Sequence, residues 1–274
     1  MEKLNIKGKE YNNICVTCGT RYKEITPAAC AICEDERQYV PMTGQQWTSY
    51  AALAENKTIR INQRSENLFD LKIMPAFAIG QKAYLITSPE GNLLWDCIPH
   101  LDEATVNFIN SKGGLKGIAI SHPHYYSLMT AWAATFNCPV YIHEADKKWI
   151  MDDAPSINLW NGEELSLWND MKVIHTGGHF AGSTVLHAPH LSDKGSLLVG
   201  DTLQIAPSLQ FISMMYSYPN VIPLPLNTIL HIYNRLQPLQ YDTMYGAFEW
   251  QTIAAGAKQL FQKSVDVYRN SVSF

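Results

Sequence analysis

The stretch GIAISHPHYYS, residues 117–127, decides how the rest of this 274-residue chain is interpreted. An apolar run over residues 115–120 predicts a strand that leads into His122 and His124, which are separated by one residue. Because side chains at i and i+2 of an extended chain point the same way, both imidazoles can bind one metal ion. The alternative is a pair of loop histidines beside a turn proline, Pro123. Other parts of the chain must decide between these interpretations.

Two further apolar runs also end in side chains that can bind metal. The run over residues 171–175 leads into a Gly-Gly-His turn that carries His179, and the run over residues 196–200 ends at Asp201. Loops at strand ends are a common place for metal ligands, because the sheet is rigid and the loops are free to carry chemistry. This convergence favours a metal centre made of His122, His124, His179 and Asp201.

Two pairs of cysteines lie near the N-terminus. Cys15 and Cys18 form one CxxC pair, and Cys30 and Cys33 form a second. Four thiolates from two tight turns satisfy the tetrahedral geometry of a structural zinc site, and Gly19 supplies the backbone freedom that such a turn needs. The metal would supply folding energy that so short a segment cannot obtain from apolar burial. We therefore predict one structural zinc in a zinc-ribbon or rubredoxin-like knuckle, with iron as the alternative.

The composition argues for a soluble globular protein. Hydrophobic residues make up 46% of the chain and charged residues 17%, and no run of apolar residues is long enough to cross a membrane. The net charge of -4, without a basic cluster among aromatics, argues against a nucleic-acid partner. The first ten residues lack a signal-peptide core, and six cysteines suit a reducing compartment. We expect a cytoplasmic protein that acts on a small-molecule substrate, and a homo-oligomer is compatible with the sequence.

The pattern of strands and helices suggests two domains. Residues 39–46, YVPMTGQQ, carry a proline and a glycine and read as a linker, so we predict a knuckle over residues 1–45 and a larger domain over residues 46–274. Apolar runs predict a sheet meander, and strands and helices alternate after it. The predicted strands of the meander are TIRIN (58–62), PAFAIG (75–80), KAYLIT (82–87) and NLLWDC (92–97).

Four motifs in this order resemble those of the metallo-β-lactamase fold superfamily. SHPHYYS is similar in part to its HxHxDH motif, TGGHFAGSTVLHAP to its third-histidine motif, and LLVGDT to its bridging-aspartate motif. Asp96 in LLWDC falls where that superfamily keeps a structural aspartate. The resemblance covers residues 73–246. It implies an α+β fold, a four-layer αββα sandwich, preceded here by the small four-cysteine zinc ribbon.

The resemblance also implies which residues bind metal. The histidines that match the first zinc site of the superfamily are His122, His124 and His179. The usual ligands of the second site are replaced, and only Asp201 remains. The resemblance therefore implies a single metal, zinc with iron as the alternative, at a divergent site. The residues at the replaced positions are Tyr126, Ser127 and Ala247.

We expect a metal-dependent hydrolase that uses a zinc-bound hydroxide on an ester, thioester, lactone or amide. Asp201 would be a fourth ligand or a proton acceptor, and Tyr125 or Tyr126 would donate a hydrogen bond to the oxyanion or simply pack. Two alternatives stay open. One is an inert metal-binding scaffold. The other is a mononuclear non-haem iron enzyme that resembles persulfide dioxygenases, with iron on His122, His179 and Asp201.

A few other residues carry weaker expectations. Phe248 and Trp250 follow the position of the lost second-site histidine, and their apolar bulk would narrow that end of the cleft. Residues 211–218, FISMMYSY, either line an apolar pocket or belong to the core or a dimer patch. His100 and His190 lie beside turn prolines, so we expect both to be exposed.

Overall fold

The computed structural model describes residues 12–23 and 27–271. The first ten residues, in which we expect no signal peptide, lie outside the described residues. The N-terminal part contains strand β1 (Ile14–Cys15), helix α1 (Ala31–Glu34), strand β2 (Trp47–Thr48) and helix α2 (Tyr50–Ala54). Strand β1 pairs antiparallel with β2, and the Ser49 hydroxyl caps α2 by accepting a hydrogen bond from the Ala52 amide. Within the described ranges, no helix is long and apolar enough to cross a membrane.

The first large sheet has seven strands that follow one another in chain order. Its first four strands are antiparallel, and its last four, β6 to β9, are parallel. The three pairs of parallel neighbours need crossover connections; two of these contain α-helices, and the third contains a 3₁₀ helix (Glu144–Trp149). The elements are β3 (Thr58–Ser65), β4 (Leu68–Met74), β5 (Lys82–Ile86), β6 (Leu93–Trp95), α3 (Glu103–Ser111), β7 (Gly117–Ala119), α4 (Met129–Phe136), β8 (Val140–His143) and β9 (Ile157–Trp160).

The second large sheet has six strands in the order β10-β11-β12-β13-β18-β19, and only β13 and β18 are parallel. Two short hairpins and a helix separate β13 from β18. The elements are β10 (Glu164–Ser166), β11 (Lys172–His175), β12 (Thr184–Ala188), β13 (Ser196–Leu198), the hairpin β14 (Gln204–Ile205) and β15 (Ile212–Ser213), the hairpin β16 (Met215–Ser217) and β17 (Ile222–Pro223), α5 (Leu226–Leu236), β18 (Thr243–Tyr245), β19 (Thr252–Ile253) and α6 (Ala257–Ser271).

The side chains of each central strand alternate between two apolar layers. Leu93 and Trp95 of β6 pack in the layer between the two sheets, whereas Leu94 packs in the layer that includes α3 and α4. On the second sheet, Leu198 packs between the sheets and Leu197 packs with residues of α5 and α6. Because strand side chains alternate by two, this pattern requires a helix layer outside each sheet. The predicted four-layer αββα sandwich is confirmed.

The prediction of a strand over residues 75–80 is wrong. The strand between β3 and β5 is β4, which precedes this run and pairs with both of them. The apolar pattern of β4 is interrupted by Asp70, a fully buried carboxylate that accepts a hydrogen bond from Arg64. The run over residues 75–80 is bounded by Pro75 and Gly80, which do not favour strand pairing, and it forms a turn-containing loop.

The four cysteines form a small apolar cluster of their own, separate from the three layers of the sandwich. This four-cysteine unit contacts the sandwich through a buried ion pair between Arg21 and Asp152, whose Nη1 and Oδ1 atoms are 2.6 Å apart. Trp149, from a 3₁₀ helix after β8, packs against the cysteine cluster. Strand β2 lies beyond residue 45 yet pairs with β1. The domain boundary between residues 45 and 46 stays a prediction.

Candidate metal centres

The four thiols of the N-terminal unit lie at the spacing of a tetrahedral metal site. Sγ of Cys15 is 3.6 Å from Sγ of Cys33, and Sγ of Cys18 is 3.6 Å from Sγ of Cys30. All four sulfur atoms lie within 4.8 Å of one another, and all four residues are buried. Four sulfurs at about 2.3 Å from one zinc would lie about 3.8 Å apart, whereas a disulfide requires about 2.05 Å. The arrangement fits a metal and excludes disulfides among these residues.

The backbone turns around the knuckle explain its shape. The Gly19 amide donates to the Cys15 carbonyl, and the Cys33 amide donates to the Cys30 carbonyl. Gly19 has a φ of +81°, and a Cβ at this position would lie 2.6 Å from Cγ of Pro99. Gly19 therefore serves two purposes, because it permits the turn and lets the knuckle approach the sandwich closely.

The second group consists of His122, His124, His179 and Asp201, which come from the loops after β7, β11 and β13. His122 precedes a 3₁₀ helix (Pro123–Tyr125) that turns His124 toward it. Their potential ligand atoms all lie within 4.8 Å of one another, and all four residues are buried. The strand ends that the sequence singled out therefore meet at one place.

The distances inside this group suit a tetrahedral ion. Nε2 of His122 is 3.3 Å from Oδ2 of Asp201, and Nε2 of His179 is 3.3 Å from Nδ1 of His124. Nδ1 of His124 is 4.0 Å from Oδ2 of Asp201. Ligand atoms at about 2.0–2.1 Å from a tetrahedral zinc lie roughly 3.3–3.4 Å apart. Nε2 of His122 is buried and has no hydrogen-bond partner among the described residues, which an ion at this point would supply.

Hydrogen bonds on the far sides of the rings fix their orientation. Nδ1 of His179 donates to the Met215 carbonyl over 3.1 Å, which leaves the Nε2 lone pair for a metal. Nδ1 of His122 lies 2.9 Å from the Ser121 hydroxyl, and the Ser121 amide donates to Oδ1 of Asp96 over 2.7 Å. Burial raises the pKa of Asp96 to about 7. These partners are what a preorganised metal site requires.

Gly200 lets the Asp201 loop approach the histidine loop. Its φ is +50°, and a Cβ here would lie 2.4 Å from Oγ of Ser121. Any side chain at this position would push the two loops apart, and the glycine of the GD pair in LLVGDT is therefore a requirement of the site.

The electrostatics of the group favour a divalent cation. Burial lowers the pKa of His124 to about 4, and burial together with the neighbouring His122 lowers the pKa of His179 well below its ordinary value. Burial alone would raise the pKa of Asp201, but the neighbouring imidazoles of His122 and His124 hold it below its ordinary range. At neutral pH the group therefore contains the neutral imidazoles of His124 and His179 beside the ionised carboxylate of Asp201. A buried carboxylate needs a compensating charge, which a bound metal supplies.

The structure treats the two adjacent tyrosines differently. The Tyr125 hydroxyl is fully buried and donates to Oδ1 of Asp201 over 2.5 Å. Tyr126 packs in the apolar layer between the first sheet and its helices. Among the described residues, neither tyrosine lines the cavity that opens onto the group. The structure brings Tyr125 to the metal group and does not bring Tyr126. A role in oxyanion stabilisation stays a prediction for either residue.

The residues that replace the usual second-site ligands make packing contacts and hydrogen bonds within the fold. The Ser127 hydroxyl accepts a hydrogen bond from Nε2 of Gln81 over 3.2 Å, and the Ala247 carbonyl accepts one from the Lys82 amide over 2.8 Å. These contacts give the three replaced positions structural partners, together with the packing of Tyr126 described above.

A cavity of about 390 Å³ opens onto His124, His179 and Asp201. As the sequence suggested, Phe248 and Trp250 lie beside it. Sequence reasoning missed the part of the lining that comes from the four-cysteine unit. No motif marks these residues as part of the cavity, and only the three-dimensional structure brings them to the site. They include Thr17, Arg37, Gln38 and Tyr39.

Two further expectations are resolved by the structure. His100 is fully buried and stacks on Tyr50 with ring centroids 5.7 Å apart, so the prediction that it is exposed is wrong. His190 is only partly exposed. Residues 211–218 divide between two roles: Ile212 and Met214 are buried in the layer with α6, whereas Tyr218 lines the cavity.

A scan against protein-family models finds no match to this chain. Among solved structures, the DIM-1 metallo-β-lactamase is 15% identical, with 78% of this chain and 98% of that chain covered and a TM-score of 0.57. The metallo-β-lactamase FIM-1 from Pseudomonas aeruginosa, solved in a mono-zinc form, is 12% identical over 78% of this chain and 96% of that chain, with a TM-score of 0.57. A metallo-β-lactamase of Cronobacter sakazakii with a HARLDQ motif is 16% identical over 80% and 96%, with a TM-score of 0.52.

The chain has the metallo-β-lactamase fold, with an added four-cysteine unit and two groups of side chains that can bind metal. In sequence, the chain is 41% identical to the uncharacterized protein YmaE of Bacillus subtilis (strain 168) over 260 residues, which is 93% of this chain and 94% of YmaE. The chain belongs to the same family as YmaE.

Proposed function

We propose that this protein is a zinc-dependent hydrolase that cleaves an ester, thioester, lactone or amide in the cavity beside His124, His179 and Asp201. The observation that carries the proposal is the buried set of three imidazoles and one carboxylate, spaced for a tetrahedral ion, at the base of a cavity of about 390 Å³. We assign a second, structural zinc to the four-cysteine unit. Because thiols in a metal knuckle need a reducing compartment, we also place the protein in the cytoplasm.

A zinc ion on three imidazoles polarises a carbonyl and lowers the pKa of bound water to about 7. The chain's own residues prepare that chemistry. Ser121 and the Met215 carbonyl orient His122 and His179 so that Nε2 of each ring points into the group. Tyr125 occupies Oδ1 of Asp201, which leaves Oδ2 facing the histidines. Asp201 is therefore positioned as the fourth ligand through Oδ2.

The donor set favours zinc over iron. Persulfide dioxygenase-like iron sites use two histidines and one carboxylate, whereas here a third imidazole joins the group. Nδ1 of His124 lies 3.3 Å from Nε2 of His179, the spacing of two ligands on one ion. Three imidazoles are one ligand set of catalytic zinc; with Asp201 as a fourth ligand, water or substrate would bind by expansion of the site to five ligands.

The test combines metal analysis with a substrate panel. We expect about two zinc ions per chain in protein purified without added metal, measured by plasma mass spectrometry, and turnover on a panel of esters, thioesters, lactones and amides. His122→Ala and His179→Ala should each lose one zinc and at least 100-fold of kcat/KM, because one ligand and the geometry of the others are lost.

The matched control is His190→Ala, since His190 lies outside the metal group and has no hydrogen-bond partner on either ring nitrogen among the described residues. It should keep both zinc ions and full turnover. Unchanged turnover in His122→Ala and His179→Ala would overturn the assignment. Iron in place of zinc would redirect it to sulfur oxidation, and a protein that binds metal but is inactive across the panel would identify an inert scaffold.

A further inference from the structure

The cavity at the His/Asp group is built jointly by the sandwich and by the four-cysteine unit. Thr17 lies inside the first CxxC turn, and Gln38 and Tyr39 follow the second, yet all three line the cavity. The sandwich contributes Phe248 and Trp250 from the loop after β18. The shape of the pocket therefore depends on both parts of the chain.

Besides the histidines, Arg37 is the one basic side chain in the lining among the described residues, and its charge is paired with Asp35. Nη1 of Arg37 donates to both carboxylate oxygens of Asp35, over 2.7 and 2.8 Å, and Nε donates to the His179 carbonyl over 2.7 Å. The guanidinium also lies 4.5 Å from the Phe180 ring centroid and 4.4 Å from that of Tyr216. Arg37 thus joins the four-cysteine unit to the His179 loop and is compensated by Asp35. Apart from the metal ion of the proposed site, an anionic group on a substrate would find no uncompensated cation among the described side chains of this lining.

The aromatic side of the cavity is held in place before any ligand binds. The rings of Phe248 and Trp250 are stacked, with centroids 6.0 Å apart and an interplanar angle of 17°. Nε1 of Trp250 donates to the Ile205 carbonyl over 3.2 Å. Between the two aromatics, Glu249 forms ion pairs with Arg60 at 2.8 Å and with Lys72 at 3.0 Å, which anchor the loop to the first sheet. A preformed aromatic surface of this kind binds flat apolar groups by stacking.

We propose that the site selects uncharged substrates that carry a flat apolar or aromatic group, and that Phe248 and Trp250 bind this group. This inference deepens the proposed hydrolase function and rests on it. It explains why the position of a lost metal ligand is followed by two large aromatic residues rather than by a polar loop. It also assigns Arg37 to positioning rather than to recognition of a substrate carboxylate.

The kinetic test uses the zinc-loaded protein and two matched esters, 2-naphthyl acetate and 6-carboxy-2-naphthyl acetate. We expect kcat/KM to be at least 10-fold higher for the uncharged ester. Trp250→Ala should lower kcat/KM for 2-naphthyl acetate about 10-fold through KM, and Trp250→Phe should restore most of it. Phe211→Ala is the control, because Phe211 is a similarly exposed aromatic outside the cavity lining, and it should change nothing.

A binding test separates this inference from the hydrolase proposal. The probe is 2-methoxynaphthalene, which is uncharged and has no bond for the enzyme to hydrolyse, and its affinity is measured by equilibrium dialysis. Phe248→Ala and Trp250→Ala should each weaken binding about 10-fold, whereas Phe211→Ala should not. This result in a protein without turnover would refute the hydrolase and keep the aromatic subsite. Turnover with equal preference for both esters, or binding unaffected by both variants, would overturn the inference.

Discussion

Tyr125 contacts the carboxylate of the His/Asp group without lining the cavity. Its hydroxyl is fully buried and donates to Oδ1 of Asp201, the oxygen that does not face His122. Burial and the neighbouring Asp201 raise the pKa of Tyr125 well above its ordinary value, so the phenol stays a donor at every working pH. We expect this hydrogen bond to orient the carboxylate.

Tyr125→Phe removes this hydrogen bond and keeps the ring. We expect the affinity for zinc at the His/Asp group to fall 10- to 100-fold, the usual effect of losing a partner that orients a ligand. The measurement is competition with a fluorescent chelator. Tyr126→Phe is the matched control, since Tyr126 packs in the apolar layer, and its zinc affinity should equal that of the parent. Equal affinities in the two variants would remove the positioning role.

Lys82 is a second residue whose pKa is set by its surroundings. It is fully buried, its Nζ lies 4.0 Å from Oδ2 of Asp70, and Nζ makes no hydrogen bond within the described part of the chain. Burial lowers its pKa from 10.5 to about 8. The folded protein therefore holds this proton less tightly than the unfolded chain does, and the charged form of Lys82 destabilises the fold.

This lowered pKa predicts a pH dependence of stability. The cost of the charged lysine is present in full below pH 8 and disappears as the pH rises to 10.5. One pKa unit corresponds to about 1.4 kcal/mol, so the free energy of unfolding should rise by up to about 3 kcal/mol over this window relative to Lys82→Met. Urea denaturation of both proteins at several pH values measures the difference, which cancels the titration of other groups. A difference that does not change with pH would contradict the lowered pKa.

The strands that carry the His/Asp group are those that clear apolar runs in the sequence predict. The runs that become β7, β11 and β13 are clear, and each is followed by a metal-capable side chain, so the His/Asp group was foreseeable. Strand β4 was missed because buried Asp70 breaks its apolar pattern and its partner Arg64 lies in the preceding strand. His100 was misjudged because a neighbouring proline reveals nothing about the Tyr50 ring that covers it.

The residues of the cavity wall that come from the four-cysteine unit could not be predicted from the sequence, because they reach the site only through long-range contacts. Thr17, Gln38 and Tyr39 are far from the histidines in the chain, and no sequence motif marks them as part of this cavity. They reach the site because the four-cysteine unit is fixed to the sandwich by long-range contacts, such as that between Arg37 and the His179 carbonyl. Pairings of this kind depend on how two elements dock, which local pattern does not encode.

Gly19 allows this docking to be tested. Gly19→Ala places a Cβ 2.6 Å from Pro99 at a position with a φ of +81°, and both the contact and the backbone strain should destabilise the protein. Gly44→Ala is the matched control, because its φ is +84° but no atom lies within 4 Å of its Cβ position. We expect Gly19→Ala to cost about 1–3 kcal/mol more than Gly44→Ala, the range for overpacking. Chemical denaturation measures the free energy of unfolding of both variants. Equal losses would show that the close approach of the knuckle to Pro99 does not affect stability.

Across the whole molecule, the two metal groups have different relations to the core. The cysteines cluster apart from the three apolar layers, whereas His122, His124, His179 and Asp201 sit on loops of the two sheets. The two groups are nevertheless connected, since α1 carries Cys33 and the chain just after it carries Arg37, which bonds to the His179 carbonyl. Loss of metal from the four-cysteine unit should therefore damage the cavity while sparing the sandwich.

Replacing Cys30 and Cys33 by Ser in one variant tests this directly. Two of four ligands are lost, so we expect one zinc per chain instead of two, with far-UV circular dichroism and the main thermal transition of the sandwich retained, because its apolar layers do not include these residues. For substrate turnover, kcat/KM should fall at least 10-fold through KM, because Gln38 and Tyr39 lose their fixed place in the lining.

The control is Cys138→Ser, which changes a buried cysteine outside the group and should keep both zinc ions and a normal KM. Loss of both zinc ions with global unfolding would show instead that the four-cysteine unit and the sandwich fold as one cooperative structure, and an unchanged KM would show that the unit takes no part in the site.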